Sequence, residues 1–75
     1  MFNTKFHVSF FDRPNLVKVT IHGNIKKVFE FQEENKIFPY SLVFVDDEAF
    51  VAFFSKQNGG KLVEWLQKNG ALYQK

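Results

Sequence analysis

Two short segments near the start of the chain alternate with a period of two, and they constrain its folding more than any other feature. Across Lys5 to Phe11, Phe6, Val8 and Phe10 fall on one side and His7, Ser9 and Phe11 on the other. Across Leu16 to His22, Val17, Val19 and Ile21 oppose Lys18, Thr20 and His22. That period is the signature of a strand with one buried face. Asp12-Arg13-Pro14-Asn15 between them is turn chemistry. Keeping the apolar faces together sets Phe10 opposite Val17, Val8 opposite Val19 and Phe6 opposite Ile21. A slip of one residue would mix the faces.

Further along, Tyr40 to Val45 and Ala49 to Phe54 predict a second hairpin across Asp46-Asp47-Glu48. Residues 25–34 admit two readings. As a helix, Asn24 is the N-cap and Ile25, Val28 and Phe29 form an apolar stripe. As a strand, Phe29 and Phe31 alternate with Glu30 and Gln32, and Gly23-Asn24 becomes a hairpin turn. Lys26 and Lys27 oppose the helix dipole, but Glu33-Glu34-Asn35-Lys36 is a poor strand and a reasonable helix end, so the helix is preferred. Gln57-Asn58-Gly59-Gly60 reads as a loop. Lys61 to Asn69 reads as a helix with Leu62, Trp65 and Leu66 on one face and Gly70 as its stop.

Each half of the chain then runs strand, turn, strand, loop, helix. Val8 and Phe10 correspond to Val43 and Val45, and Val17 and Val19 to Val51 and Phe53. The expected fold is α+β: a two-layer ββαββα sandwich with a four-stranded antiparallel sheet, order 1-2-4-3, and both helices on one face. Moving one strand from the front to the back of this order gives βαββαβ, so the arrangement resembles a circularly permuted ferredoxin-like fold. The repeat places Phe6, Val8, Phe10, Val17, Val19, Ile21, Val43, Val45, Val51 and Phe53 in the core. The uncovered face would carry His7, Ser9, Phe11, Lys18, Thr20, His22, Tyr40, Leu42, Phe44, Phe50, Ala52 and Phe54.

Composition bounds what such a chain does. Its 75 residues hold one domain, 1–75, and leave no room for a dinucleotide-binding fold or a barrel. With no cysteine, a disulfide scaffold, a thiolate zinc site and a thiol nucleophile are excluded. A net charge of +2 attracts nucleic acid only weakly. The polar residues Asn3, Thr4, Lys5 and His7 interrupt any export signal, so a cytoplasmic protein is expected. No apolar run reaches the roughly 18 residues of a membrane span. The outlier is phenylalanine, with 11 residues, more rings than one small interior readily holds.

An uncovered sheet face bearing Tyr40, Leu42, Phe44, Phe50, Phe54 and Phe11 points to a protein interface, because exposed apolar patches of that kind mark interaction sites. The expected function is non-catalytic binding, as a homodimer or to a protein partner. A regulatory, accessory or inhibitor protein of the kind found in bacteria and their phages would fit. The alternative is single-stranded RNA or DNA binding through Phe50, Phe44, Lys18, His7 and His22, with bases stacking on rings beside cations. Ala49-Phe50-Val51-Ala52-Phe53 resembles the second half of the RNA-recognition-motif signature, which implies Phe50 as a stacking ring. Asp46, Asp47 and Glu48 stand where the first half of that signature requires a basic residue, a glycine and an aromatic.

Other groups carry less. His7 and His22 lie diagonally on one face of the first hairpin, two ligands short of a typical zinc site, and no metal is expected. Asp46-Asp47-Glu48 reads as a solvated turn that keeps its flanking strands soluble. Gly59-Gly60-Lys61 lacks the Ser/Thr and the spacing of a phosphate loop. Ser9, Ser41 and Ser55 sit in no nucleophile motif. Neither an enzyme nor a cofactor is expected.

Overall fold

The computed structural model describes residues 3–74. Strands β1 (Lys5–Phe10) and β2 (Val17–His22) lead to helix α1 (Ile25–Glu34); strands β3 (Ser41–Asp46) and β4 (Ala49–Phe54) lead to helix α2 (Lys56–Lys68) and a short strand β5 (Leu72–Tyr73). The class is α+β, with a five-stranded mixed sheet in the order β3-β4-β2-β1-β5. The first four strands pair antiparallel, whereas β5 runs parallel to β1. The expected sheet of four antiparallel strands is therefore corrected by one strand. Two residues of β5 lie opposite Lys5 and Phe6, held by Leu72 N–H to Thr4 O at 2.8 Å and Gln74 N–H to Phe6 O at 2.7 Å. Leu72-Tyr73 is too short to show a period, which is why the sequence does not announce it.

The first hairpin pairs as its alternation requires: Phe6 with Ile21, Val8 with Val19, Phe10 with Val17. Its apolar face lies under the helices, where Phe6, Val17, Val19 and Ile21 are buried. In α1 the stripe Ile25, Val28 and Phe29 packs on the same core, so residues 25–34 are helical. Phe31 of α1 stacks on Trp65 of α2 at 4.4 Å and joins the two helices. Both helices end alike. Ile37 N–H donates to Gln32 O and Ala71 N–H to Leu66 O, each around a residue of positive φ, Lys36 and Gly70. Gly70 is the residue such an end favours. Lys36 is not, and buried Ile37 secures that end instead.

Helix α2 begins five residues before the expected Lys61. Ser55 caps it, its Oγ accepting from Asn58 N–H at 3.1 Å. Gln57-Asn58-Gly59-Gly60 is thus helix and not loop, and the phosphate-loop reading of Gly59-Gly60-Lys61 falls with it. The helix tolerates Gly59 because the sheet demands it. A Cβ there would lie 2.5 Å from Val17 Cγ2 and 3.6 Å from Phe54 Cβ, whereas one on Gly60 would meet nothing within 4 Å. Two neighbouring substitutions should therefore act in opposite directions. Gly59→Ala is expected to lower stability, because overpacking costs about 1–3 kcal/mol against a helix-propensity gain of about 1 kcal/mol. Gly60→Ala is expected to raise it by up to about 1 kcal/mol. Urea midpoints of the two variants check this, and equal shifts would remove the close contact from the account.

The second hairpin is turned over relative to the expectation. Val17, Val19 and Ile21 lie opposite Phe54, Ala52 and Phe50, and all six are buried. Phe50 stacks on Phe29 of α1 at 4.9 Å. Phe50, Ala52, Phe54 and Leu42 thus belong to the helix-covered core, while Val43, Val45, Val51, Phe53 and, in the first hairpin, Phe10, all expected in that core, do not. The pattern repeat matched the two hairpins with an offset wrong by one residue. At period two, one residue exchanges the faces of a whole strand.

Candidate functional site

Helices cover one face of the sheet. The other carries Val43, Val51 and Phe53 from the second hairpin beside Lys18 and Thr20, with Lys18 opposite Phe53 and Thr20 opposite Val51. Phe11 stacks on Phe53 at 5.8 Å, extending this face beyond the end of β1. His7, Ser9 and His22 share the face on the first hairpin. The face is therefore divided into an apolar half from β3 and β4 and a polar, partly basic half from β1 and β2.

The densest run of exposed apolar side chains in the sequence lies at the β3 end. Phe38, Tyr40, Val43, Phe44 and Val45 are between 59% (Phe44) and 65% (Tyr40) exposed, five large side chains within eight residues. They straddle the sheet. Val43 lies on the open side, opposite Val51, while Phe44 lies on the helix side, edge-on to Phe29 at 5.8 Å. Asp46 ends this strand, and its carboxylate accepts from Glu48 N–H at 2.8 Å. The acidic tip is thus a hydrogen-bonded turn.

The expected interface residues separate accordingly. Phe50 and Phe54 are fully buried and Leu42 is half-buried against the core, so these three are corrected from surface to interior. Tyr40 and Phe44 are exposed at the β3 edge, and Phe11 is exposed on the open face. The expected nucleic-acid residues separate as well. Lys18, His7 and His22 share the open face, whereas Phe50 and Phe44 lie on the helix side and cannot join them. Phe53 occupies the position that Phe50 was expected to fill. Phe38, Val43 and Val45 are exposed without having been singled out for the surface; valines in a strand read as core unless the face is known.

A second apolar feature is a groove of about 420 Å³ between β1 and α2, lined by Val8, Phe10, Tyr73, Val63 and Gly60 among others. It exists because α2 passes over Val17 and leaves the end of β1 uncovered, with Phe10 73% exposed. The described C-terminal residues, up to Gln74, do not close the open face. They run beside β1, where His7 Nδ1 donates to Gln74 O at 2.6 Å and Tyr73 packs edge-on to Phe6 at 5.4 Å. Gln32 is a polar intruder in the core, its Oε1 without a hydrogen-bond partner among the described residues.

Among the described residues no group of three or more His, Cys, Asp or Glu side chains is placed to hold a metal ion. Among the described residues no helix is long and apolar enough to cross a membrane. Compared with known protein families, curated proteins and solved structures, the chain matches none.

Proposed function

We propose that this chain is a non-catalytic binding protein whose β3 edge and adjoining open sheet face hold another protein chain, in an accessory or regulatory role. The observation that carries this reading is the concentration of exposed large apolar side chains between Phe38 and Val45. Single exposed apolar residues need no explanation, but a contiguous group of this size usually marks an interaction surface. Three of the five, Phe38, Tyr40 and Phe44, are aromatic, the residue type that enriches interface cores. The order of the four antiparallel strands keeps the permuted ferredoxin-like comparison open, with β5 as an addition.

The second reading, single-stranded nucleic acid on the open face, is supported by one pairing: Lys18 lies opposite Phe53, on which Phe11 stacks. A cation beside a ring pair suits a stacked base. Asp46, Asp47 and Glu48 at the neighbouring turn work against a phosphate backbone.

One experiment separates the two. The immobilised chain is exposed to extract of its source cells, with and without nuclease, alongside Val43→Lys and Lys18→Glu. The protein reading expects a retained protein that survives nuclease, falls at least tenfold with Val43→Lys, about 1.4 kcal/mol, and barely changes with Lys18→Glu. Retention that disappears with nuclease, with Lys18→Glu and with added salt would replace it by the nucleic-acid reading.

A further inference from the structure

Resting on the protein-binding reading, we infer that the occupant of the β3 edge is a second copy of this chain, paired antiparallel through β3 so that two five-stranded sheets become one. Among the described residues no strand pairs with the outer side of β3. An open strand edge is a template for another strand unless lysine, proline or a bulge blunts it. Ser41 to Phe44 contains neither lysine nor proline, and the one bulge lies beyond them, between Phe44 and Asp46.

The exposed side chains favour an edge-on occupant. Val43 belongs to the open face and Phe44 to the helix side. A sheet stacked on the open face would cover the first and leave the second wet. A strand added at the edge brings side chains to both faces at once. A twofold axis also limits the register. Paired residues must share a face, so the axis passes at a residue and not between two. With Val43 on the axis, Val43 meets the second copy's Val43 and Leu42 meets Phe44, all within the regular stretch before the bulge. Moving the axis to Phe44 would set Val43 against Val45 and Leu42 against Asp46, carrying the pairing across the bulge, where the ladder is disrupted.

Charge and area agree with this pairing. Antiparallel strands in that register keep the two Asp46 residues about six residues apart along the shared edge, roughly 20 Å, or about two screening lengths at physiological salt. At about 200 Å² per aromatic side chain, the exposed parts of Phe38, Tyr40 and Phe44 supply on the order of 350 Å² per copy. With Val43, Val45 and the strand backbone, the pair reaches roughly 1,000 Å², the lower end for a specific interface. The dimer is accordingly a reversible one.

The sequence holds no cysteine, so a single introduced thiol reports the register without ambiguity. With diamide as oxidant, Val43→Cys should give a covalent dimer, because paired residues on antiparallel strands place their Cα atoms about 4.5–5.5 Å apart, within disulfide reach. Val45→Cys should not, its twin lying about 13 Å away along the edge. Light scattering of the parent chain should show the mass rising from one copy toward two between about 10 μM and about 1 mM. Val43→Lys should stay monomeric with an unchanged circular dichroism spectrum. A parent chain that remains monomeric with no Val43→Cys cross-link overturns the second copy. Persistence of the dimer in Val43→Lys overturns this edge as its interface. If the second copy fails while Val43→Lys still abolishes retention of a protein from the extract, the surface stands with another occupant. If both fail, the surface reading falls too.

Discussion

Phe50→Ala should remove about 3–5 kcal/mol of stability, the usual cost of truncating a buried phenylalanine. Phe50 is fully buried, lies opposite Ile21 and stacks on Phe29. The surrounding sheet and helix are held in place by their own hydrogen bonds, so the space left behind cannot fully collapse. At 0.05–0.15 kcal/mol per residue, a chain of this length holds about 4–11 kcal/mol in total. The variant should therefore lose roughly a quarter of its stability or more, and it will populate the unfolded state if the parent lies at the low end. Phe53→Ala provides the contrast. Phe53 is half-buried on the open face, and its loss should cost about 1 kcal/mol. Urea titrations of both variants decide which face of β4 the helices cover. Equal losses, or a larger loss at Phe53, would mean that the second hairpin presents the opposite face.

Gly23→Ala should cost about 3 kcal/mol, from a left-handed backbone penalty of about 1–2 kcal/mol and overpacking of about 1–3 kcal/mol. Gly23 has φ +93°, and a Cβ on it would lie 2.5 Å from the Asn3 carbonyl oxygen and 3.5 Å from Thr4 Cα. Both obstacles are backbone, so neither can swing away as a side chain would. The residue also ties three segments together. Its carbonyl accepts from Thr4 Oγ1 at 2.9 Å, and its N–H donates to Glu48 O at 2.7 Å. Thr4 is itself buried, so displacing it would leave a polar group without its partner. Gly70→Ala is the control. Gly70 has φ +85° with nothing within 4 Å of the added carbon, so only the backbone penalty applies and about 1 kcal/mol is expected. Thermal or urea unfolding measures both, and equal losses would show that crowding at Asn3 contributes nothing.

The two glycine pairs illustrate what a sequence conceals. Gly59 and Gly60 read as a loop because glycine is a poor helix former. Their helical placement follows from the Ser55 cap and from the need to bring α2 within contact of Val17. Gly23 reads simply as a turn before α1, and nothing local announces that the Asn3 carbonyl lies against it. Such close approaches join residues far apart in the chain and leave no periodic trace.

The candidate site shows the same limit. Phe11 is exposed on the open face as expected; Tyr40 and Phe44 are exposed too, but Phe44 lies on the helix side at the sheet edge and not on the open face the alternation assigned to it. Phe50, Phe54 and Leu42 were not distinguishable from them, because β3 reads Ser-Leu-Val-Phe-Val-Asp and β4 reads Ala-Phe-Val-Ala-Phe-Phe, each with apolar residues on both faces. Alternation assigns a face only where polar residues mark the other side. The first hairpin had Lys18, Thr20, His7 and Ser9 to do this, and its register is the one the alternation requires.

By itself, the sequence determined the two hairpins, the pairing of β1 with β2 and the later part of α2, and it favoured a helix over a strand for α1, because each rests on local periodicity or on a turn whose chemistry is short-range. The tertiary structure decided which side of the second hairpin became interior and where the fifth strand joined. Phe50, Ala52 and Phe54 meet Val17, Val19 and Ile21 only when β4 lies beside β2 and both helices close over them. An apolar strand can bury either face, and the helices that Gly59 and Phe29 seat upon it make the choice.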